Sequence, residues 1–310
     1  MEWCIHISGA DDLKGELSLG RLATLETSAS LQPTVALTAR LIEEHFSAVR
    51  FTRCAFGNEF CEHLLPPASA LEAAFFAAHA RNLQFTFLTP YVSNAGIAGL
   101  RRLFEVLDQR SGGEVVFNDW GVLNVLRREF PRLQPVQGRL LNKSLRDPRV
   151  TAMYATASAP AAAMTALQRS NLDCASYTGL LSRFGVSTVE MDNLPQGLDL
   201  SFAEGGLGVG VYLPFGFIST SRVCMAAGLH YRKADKFQPG APCRHECQTH
   251  LLEYAYTNSP FGNRDQKFYL KGNTYFYAHT EPMLRALFSQ AISGRIARLT
   301  FQPRIPMMAV

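Results

Sequence analysis

The sequence predicts an α/β fold, a TIM-barrel-like (β/α)-barrel distorted by a C-terminal cysteine-bearing segment and a β-hairpin. Three observations carry this. β-rich and helix-patterned segments alternate through the middle of the chain, the pattern that gives a parallel sheet covered by helices. No glycine-rich phosphate loop follows the first strand, which counts against an open dinucleotide-binding sheet. No Pro-, Gly- or Ser-rich linker divides the 310 residues, so the chain reads as one domain. Within it, residues 1–45 form an N-terminal extension with the first barrel element, 46–200 the βα repeats, and 201–310 the cysteine segment, hairpin, and closing helix and strand.

The alternation starts with "AVRFTRCAF", a β-rich run, followed after Pro66-Pro67 by the helical "SALEAAFFAAHARN", with Ser69 placed to cap it. "LQFTFLTPYV" reads as a strand and "NAGIAGLRRLFEVLDQR" as an amphipathic helix ended by Gly112-Gly113. "EVVFNDW" is the next strand, then the short helix "GVLNVLRREF" closed by Pro131, and the strand "LQPVQGRLL". "CASYTGLLSRFG" is a helix with Gly185 at its end, and "VSTVEMDNL" the fifth strand. Beyond Leu200 the texture changes. "GVGVYLPFGFIST" is one β-like run leading to Cys224, "KFYLKGNTYFYAH" a hairpin turning at Lys271-Gly272-Asn273, "EPMLRALFSQAIS" a helix and "RIARLTF" a last strand.

A hydrophobic share of 47% with 18% charged residues is that of an ordinary globular protein. The net charge of +4 is spread thinly and gives no basic arm for nucleic acid, so a small aromatic substrate is expected rather than RNA. Glu2, Asp11 and Asp12 are wrong for a signal peptide, and no apolar stretch is long enough to cross a bilayer. A cytoplasmic protein without membrane insertion is expected. Thiols stay reduced there, so grouped cysteines point to a metal or to catalysis rather than to disulfides.

Of seven cysteines, Cys4, Cys54 and Cys174 sit in apolar or β-patterned stretches and read as buried structural thiols. Cys61 follows a strand through "GNEF", on the face where α/β barrels assemble their sites. Cys224 likewise ends a β run, and Cys243 and Cys247 form a Cys-x3-Cys loop. Four such thiolates suit tetrahedral zinc or a four-iron cluster. The scattered spacing favours the cluster. His230, His245 and His250 keep a mixed Cys/His zinc site open, and unliganded cysteines are the plain alternative.

The order "GNEFC", then "TSRVC", then "CRHEC" resembles the U32 peptidase-like family, in its short single-domain form associated with anaerobic ubiquinone biosynthesis. The likeness runs from about Val49 to His279. It implies a TIM-barrel-like fold with a [4Fe-4S] cluster held by Cys61, Cys224, Cys243 and Cys247. It also implies oxygen-independent hydroxylation of a ubiquinone-precursor-like aromatic, with prephenate as oxygen donor and a second family subunit completing a heterodimer. A noncatalytic electron-transfer subunit is the alternative, and a peptidase is disfavoured because neither a nucleophile–His–carboxylate pattern nor His-Glu-x-x-His is present.

The polar candidates cluster at strand ends. "GRLLNKSLRDPR" offers Arg139, Asn142 and Lys143 to a carboxylate or phosphate, or is a solvated loop with an Asp147–Arg149 pair. Glu190 and Asp192 alternate along a strand and share a face; "FNDW" lies at another strand end. Arg222 stands two residues before Cys224, where strand alternation aims both to one side. The aromatics Tyr269, Tyr275, Phe276 and Tyr277 form a ring platform or simply pack. The basic residues from Arg232 to Lys236 are expected near the anionic cofactor, on a flap over the barrel end.

Overall fold

Seven strands rise in order from the N-terminus: β1 (Glu2–Ile7), β2 (Phe51–Gly57), β3 (Gln84–Leu88), β4 (Glu114–Phe117), β5 (Gln134–Gln137), β6 (Thr188–Asp192) and β7 (Gly208–Leu213). The chain then leaves to build β8 (Phe215–Thr220), β9 (Leu252–Tyr254), β10 (Phe268–Lys271) and β11 (Thr274–Ala278), and returns as β12 (Arg298–Phe301). In this computed structural model β12 slots between β7 and β1 and closes an eight-stranded parallel (β/α)-barrel, while the other four strands form an antiparallel sheet in the order β8-β11-β10-β9. The structure describes all residues except 111–112, 155, 157–158, 238–242, 255–266 and 308–310. Among the described residues no helix is long and apolar enough to cross a membrane.

The barrel is closed by the two ends of the sequence, β1 and β12, with Glu2 to Ile5 in register with Arg298 to Phe301. The run "GVGVYLPFGFIST" is two strands rather than one. Pro214, after a cis peptide, has no N–H to continue a ladder and separates the barrel strand β7 from the antiparallel β8. The hairpin turns where the sequence places it, with Lys271 paired to Thr274 across Gly272-Asn273.

Helix ends mostly follow local chemistry. Ser93 Oγ accepts the Gly96 N–H at 3.2 Å to start the helix Asn94–Gln109, and Asp119 Oδ1 accepts from Gly121 to start Trp120–Glu129. Pro131 follows that second helix, and Gly185, at φ +69, follows the helix Ala175–Arg183. Ser69 is not a cap: the helix begins at Ala68 with Pro67 at its N-cap, which places Ser69 inside the first turn. Gly112 lies outside the described residues. Cys174 is exposed at the start of the helix Ala175–Arg183, so only Cys4 and Cys54 of the three expected structural thiols are buried.

The barrel interior is polar at both ends. Toward the N-terminal end Arg53 and Arg298 interleave with Glu2 and Glu114, with four nitrogen–oxygen separations of 2.7–3.0 Å. The small apolar group Cys4, Ala55, Leu88, Val116 and Val136 fills the middle. Polar side chains return at the C-terminal end, above it.

Candidate metal centre

Cys61 lies four residues past β2, and its placement is written locally. Asn58 Oδ1 accepts the N–H groups of Phe60 (2.8 Å) and Cys61 (3.0 Å), a side-chain-closed turn, and Cys61 then caps the short turn Glu62–Leu64. Cys224 sits on the loop after β8, which is stitched to the β10–β11 turn by Ser221 N–H to Asn273 O (3.2 Å) and Ala226 N–H to Gly272 O (3.1 Å). Asn273 Nδ2 donates in turn to Phe60 O, Tyr91 Oη and Ser221 O at 2.7–3.0 Å, tying the loops after β2, β3 and β8 to one amide. Cys247 is buried in the turn Glu246–Gln248. Gly272, at φ +61, permits its approach: a Cβ there would stand 3.2 Å from Cys247 Cβ and 2.5 Å from the Met307 methyl.

Cys61, Cys224, Cys243 and Cys247 thus line a single cavity of about 70 Å³, with Arg222 and Glu246. Burial pushes the Cys61 thiol up to about 12 and raises those of Cys224 and Cys247, and in each case the charge of other cysteines of the set adds to the rise. Four thiolates in one small cavity therefore oppose one another, and a cationic centre is what allows all four to ionise together. Donors already face the sulfurs. The N–H groups of Ala227 and His245 point at Cys224 and Cys243 (3.4 Å each), and Gln248 Nε2 at Cys247 (3.2 Å). Such N–H···S contacts are the usual support of bound thiolates. Among the described residues no three His, Cys, Asp or Glu side chains converge as the shell of one metal ion. His230, His245 and His250 are exposed and outside the cavity lining; the histidine that lines it is His63.

Arg222 and Cys224 do share the cavity, though both lie in loop beyond β8 rather than alternating along a strand. The Arg222 guanidinium rests 5.5 Å over the Tyr91 ring and donates to Val92 O at 3.3 Å. The basic stretch does not turn inward. Its neighbours Tyr231 and Phe237 line the cavity, whereas Arg232 and Lys233 are exposed and Lys236 is half-buried outside the lining. A charged ammonium or guanidinium keeps its hydration, while Tyr231 is half-buried and Phe237 borders the cavity with about half of its surface still exposed.

The other polar candidates are gathered at the barrel mouth. Arg139 is fully buried, its guanidinium between the rings of Tyr212 (4.0 Å) and Phe60 (5.1 Å), paired with Glu59 Oε2 and Asp192 Oδ1 at 2.8 Å each. Arg146 pairs with the second oxygen of Asp192 and donates to Arg139 O and Asn142 O. Gly138 lets the chain pass Asn118, whose amide oxygen accepts the Leu140 N–H at 2.9 Å; a Cβ at Gly138 would stand 2.2 Å from that oxygen. Asn142 is buried with its side chain accepting from Ser144, while Lys143 is exposed and reaches Leu140 O. Glu190 lies deeper, accepting from Tyr212 Oη, and burial pushes its carboxyl up to about 8. Of "FNDW", Asn118 joins this network and Asp119 serves as a helix cap.

Glu59 and Arg146 were not singled out from sequence, although "GNEF" and the cation-rich stretch contain them; pairing across loops of different strands leaves no spacing signal. Above the network lie Phe217 and Phe276, both edge-on to Phe60. Tyr269, Phe276 and Tyr277 are buried, with Tyr269 Oη on Ser30 O and Tyr277 Oη on Asn193 O, so they pack rather than present a platform; Tyr275 is half-buried beside Tyr254. A larger cleft of about 700 Å³ opens around Arg53, Arg110 and Arg132, at the barrel's other end, and all three are paired with acidic side chains.

The barrel and its cysteine-lined cavity define the class: an α/β-barrel protein with a four-thiol site beside its C-terminal mouth. No family model and no curated protein matches the chain. Among solved structures, the U32 peptidase Mk0906 is similar over 97% of this chain and 92% of its own, at 11% identity and a TM-score of 0.41. A glycoside hydrolase family 18 N-acetylglucosaminidase from Paenibacillus barengoltzii is similar over 84% and 92%, at 8% identity and a TM-score of 0.31. These are faint likenesses of outline, and the functional reading rests on the residues.

Proposed function

We propose that the chain is an iron–sulfur protein whose Cys61, Cys224, Cys243 and Cys247 hold a [4Fe-4S] cluster, and that it belongs with the oxygen-independent hydroxylases of the U32 type. The single observation in support is the gathering of those four cysteines, from three separate parts of the sequence, around one cavity. Their dispersal around a cavity suits a cubane, whose ligands stand at the corners of a broad core. A single zinc at about 2.3 Å from each sulfur would draw the thiolates to about 3.8 Å of one another. When bound, such a cluster supplies one-electron chemistry or activates an oxygen donor at an iron. The chain's own part is to hold the four thiolates, to donate N–H groups to three of them and to place the Arg222 guanidinium at the rim. In the finer reading the protein resembles a UbiV-type subunit of anaerobic ubiquinone biosynthesis, acting with a second family subunit on a ubiquinone-precursor-like aromatic, with prephenate as oxygen donor.

One observation favours a second reading, a noncatalytic electron-transfer subunit: protein groups fill the barrel mouth, where a barrel enzyme normally receives its substrate. Anaerobic purification and iron analysis test the cluster. Four irons per chain are expected, lost together in both Cys61→Ser and Cys243→Ser, and a colourless zinc-loaded protein refutes the assignment. Prephenate-dependent oxygen transfer to an aromatic acceptor by the loaded protein, alone or with its partner, then separates enzyme from electron carrier.

A further inference from the structure

Two buried charges of opposite sign flank the cysteine cavity, and neither ligates in the reading above. Glu246 is 5% exposed and lines the cavity; its Oε2 accepts the Arg244 N–H at 3.3 Å, while Oε1 is buried with no hydrogen-bond partner among the described residues. A carboxylate oxygen buried without a donor is costly. Lys271, the last residue of β10, is 6% exposed and lines a polar pocket with Gln248, next to Cys247 in sequence, and Glu26. The two act on the sulfurs in opposite senses. Glu246 borders the cavity and directly precedes Cys247 in the chain, and Lys271 directly precedes Gly272, where a Cβ would stand 3.2 Å from Cys247 Cβ.

We propose that Glu246 and Lys271 set the reduction potential of the group held by the four cysteines, Glu246 lowering it and Lys271 raising it. The inference rests on the cluster reading. An electron added to an anionic cluster meets the same field as a negative charge on its sulfurs, so a carboxylate that opposes a thiolate opposes reduction, and an ammonium favours it. Both charges are themselves buried, so water screens them little. The redox step is a one-electron change: a dithionite-poised mediator gives up one electron, the core passes from 2+ to 1+, and no bond is made or broken.

The test is a mediator titration of the loaded protein, followed by the electron-spin signal of the reduced cluster at one fixed pH. Glu246→Gln, which removes the charge and keeps the shape, is expected to move the midpoint to a more positive potential; Lys271→Met is expected to move it more negative. Opposite signs matter, since a variant that merely loosened the cavity and admitted water would shift both midpoints the same way. Midpoints unchanged, or moved in one common direction, overturn the proposal while leaving the cluster in place. If Glu246→Gln does not load iron, Lys271→Met decides alone: a more negative midpoint supports the proposal, and any other result rejects it. A wild-type protein that binds no four-iron centre removes the cluster reading itself, and the inference with it.

Discussion

Glu190 projects into the middle of the barrel, 1% exposed, accepting a hydrogen bond from Tyr212 and standing 3.7 Å from Arg298. Burial is the main reason its carboxyl is pushed up from 4.5 to about 8; the nearby Glu59 charge adds to the rise and Arg298 opposes it. The native chain therefore keeps a proton that the unfolded chain has released. The contribution is fully present below about pH 4.5 and is lost as pH rises through about 8, at up to about 1.4 kcal/mol per pH unit. Two buried histidines act the other way at lower pH. His6 and His279 are driven down to about 4 and about 3, so the unfolded chain binds more protons there and stability climbs until about 6.5. Between pH 6.5 and 8 the Glu190 contribution stands clear of them, and its loss amounts to about 2 kcal/mol. Glu59, also raised by burial, falls in the same sense, so the observable is the difference between Glu190→Gln and the wild type. The amide keeps an acceptor for Tyr212 and carries no titration. In urea denaturation the stability of the variant relative to wild type should rise by about 2 kcal/mol between pH 6.5 and pH 8. Parallel profiles across that window would mean that Glu190 is ionised throughout and that the burial argument fails.

Two further outcomes follow from the burial of single groups. Arg139→Leu strands Glu59 in a sealed site and leaves Asp192 with Arg146 alone, and should cost about 3–5 kcal/mol in urea denaturation, with a loss below 1 kcal/mol showing that the network carries little. Iodoacetamide on the native protein, followed by peptide mapping, should label the exposed Cys174 and spare Cys4 and Cys54, whose thiols burial also holds well up; labelling of Cys54 as fast as Cys174 would contradict the barrel assignment of β2.

The barrel was legible where local pattern decides it. Each of the segments from "AVRFTRCAF" to "VSTVEMDNL" became a barrel strand or a covering helix, because an apolar run bounded by turn residues can hardly be anything else. The closure was harder to read: β1 and β12 meet across nearly the whole chain, and no local feature of "RIARLTF" says that its partner is the N-terminus. The polar interior is the clearest gap. Alternation tells which residues of a strand share a face and is silent on which face is inside. Glu2, Arg53, Glu114 and Arg298 come from four different strands and face the barrel interior, where only the closed ring lets them meet. The four cavity cysteines were legible from their strand-end and loop positions, whereas Glu246 and Asn273 gain meaning only from the cavity that they border.

The antiparallel sheet changes what the mouth of this barrel can do. For a ligand to engage Arg139 it would have to displace Glu59 or Asp192 at 2.8 Å, part the Tyr212 and Phe60 rings, and lift the Phe217 and Phe276 side chains from above. Each uncoupled buried charge costs several kcal/mol, more than a small carboxylate returns by binding in its place. The network is better understood as an anchor. In "GNEFC", Asn58 closes the turn, Glu59 grips Arg139, and Phe60 packs beneath β8 and β11 while its carbonyl accepts from Asn273. Glu59 and Phe60 are thus held by partners from distant parts of the chain while Asn58 bonds the N–H groups of Phe60 and Cys61, and Cys61 inherits its position from all three. At the rim, where the loops after β2, β3 and β8 meet the hairpin turn, the Cys61 so placed shares a cavity with the three cysteines that the inserted segment brings.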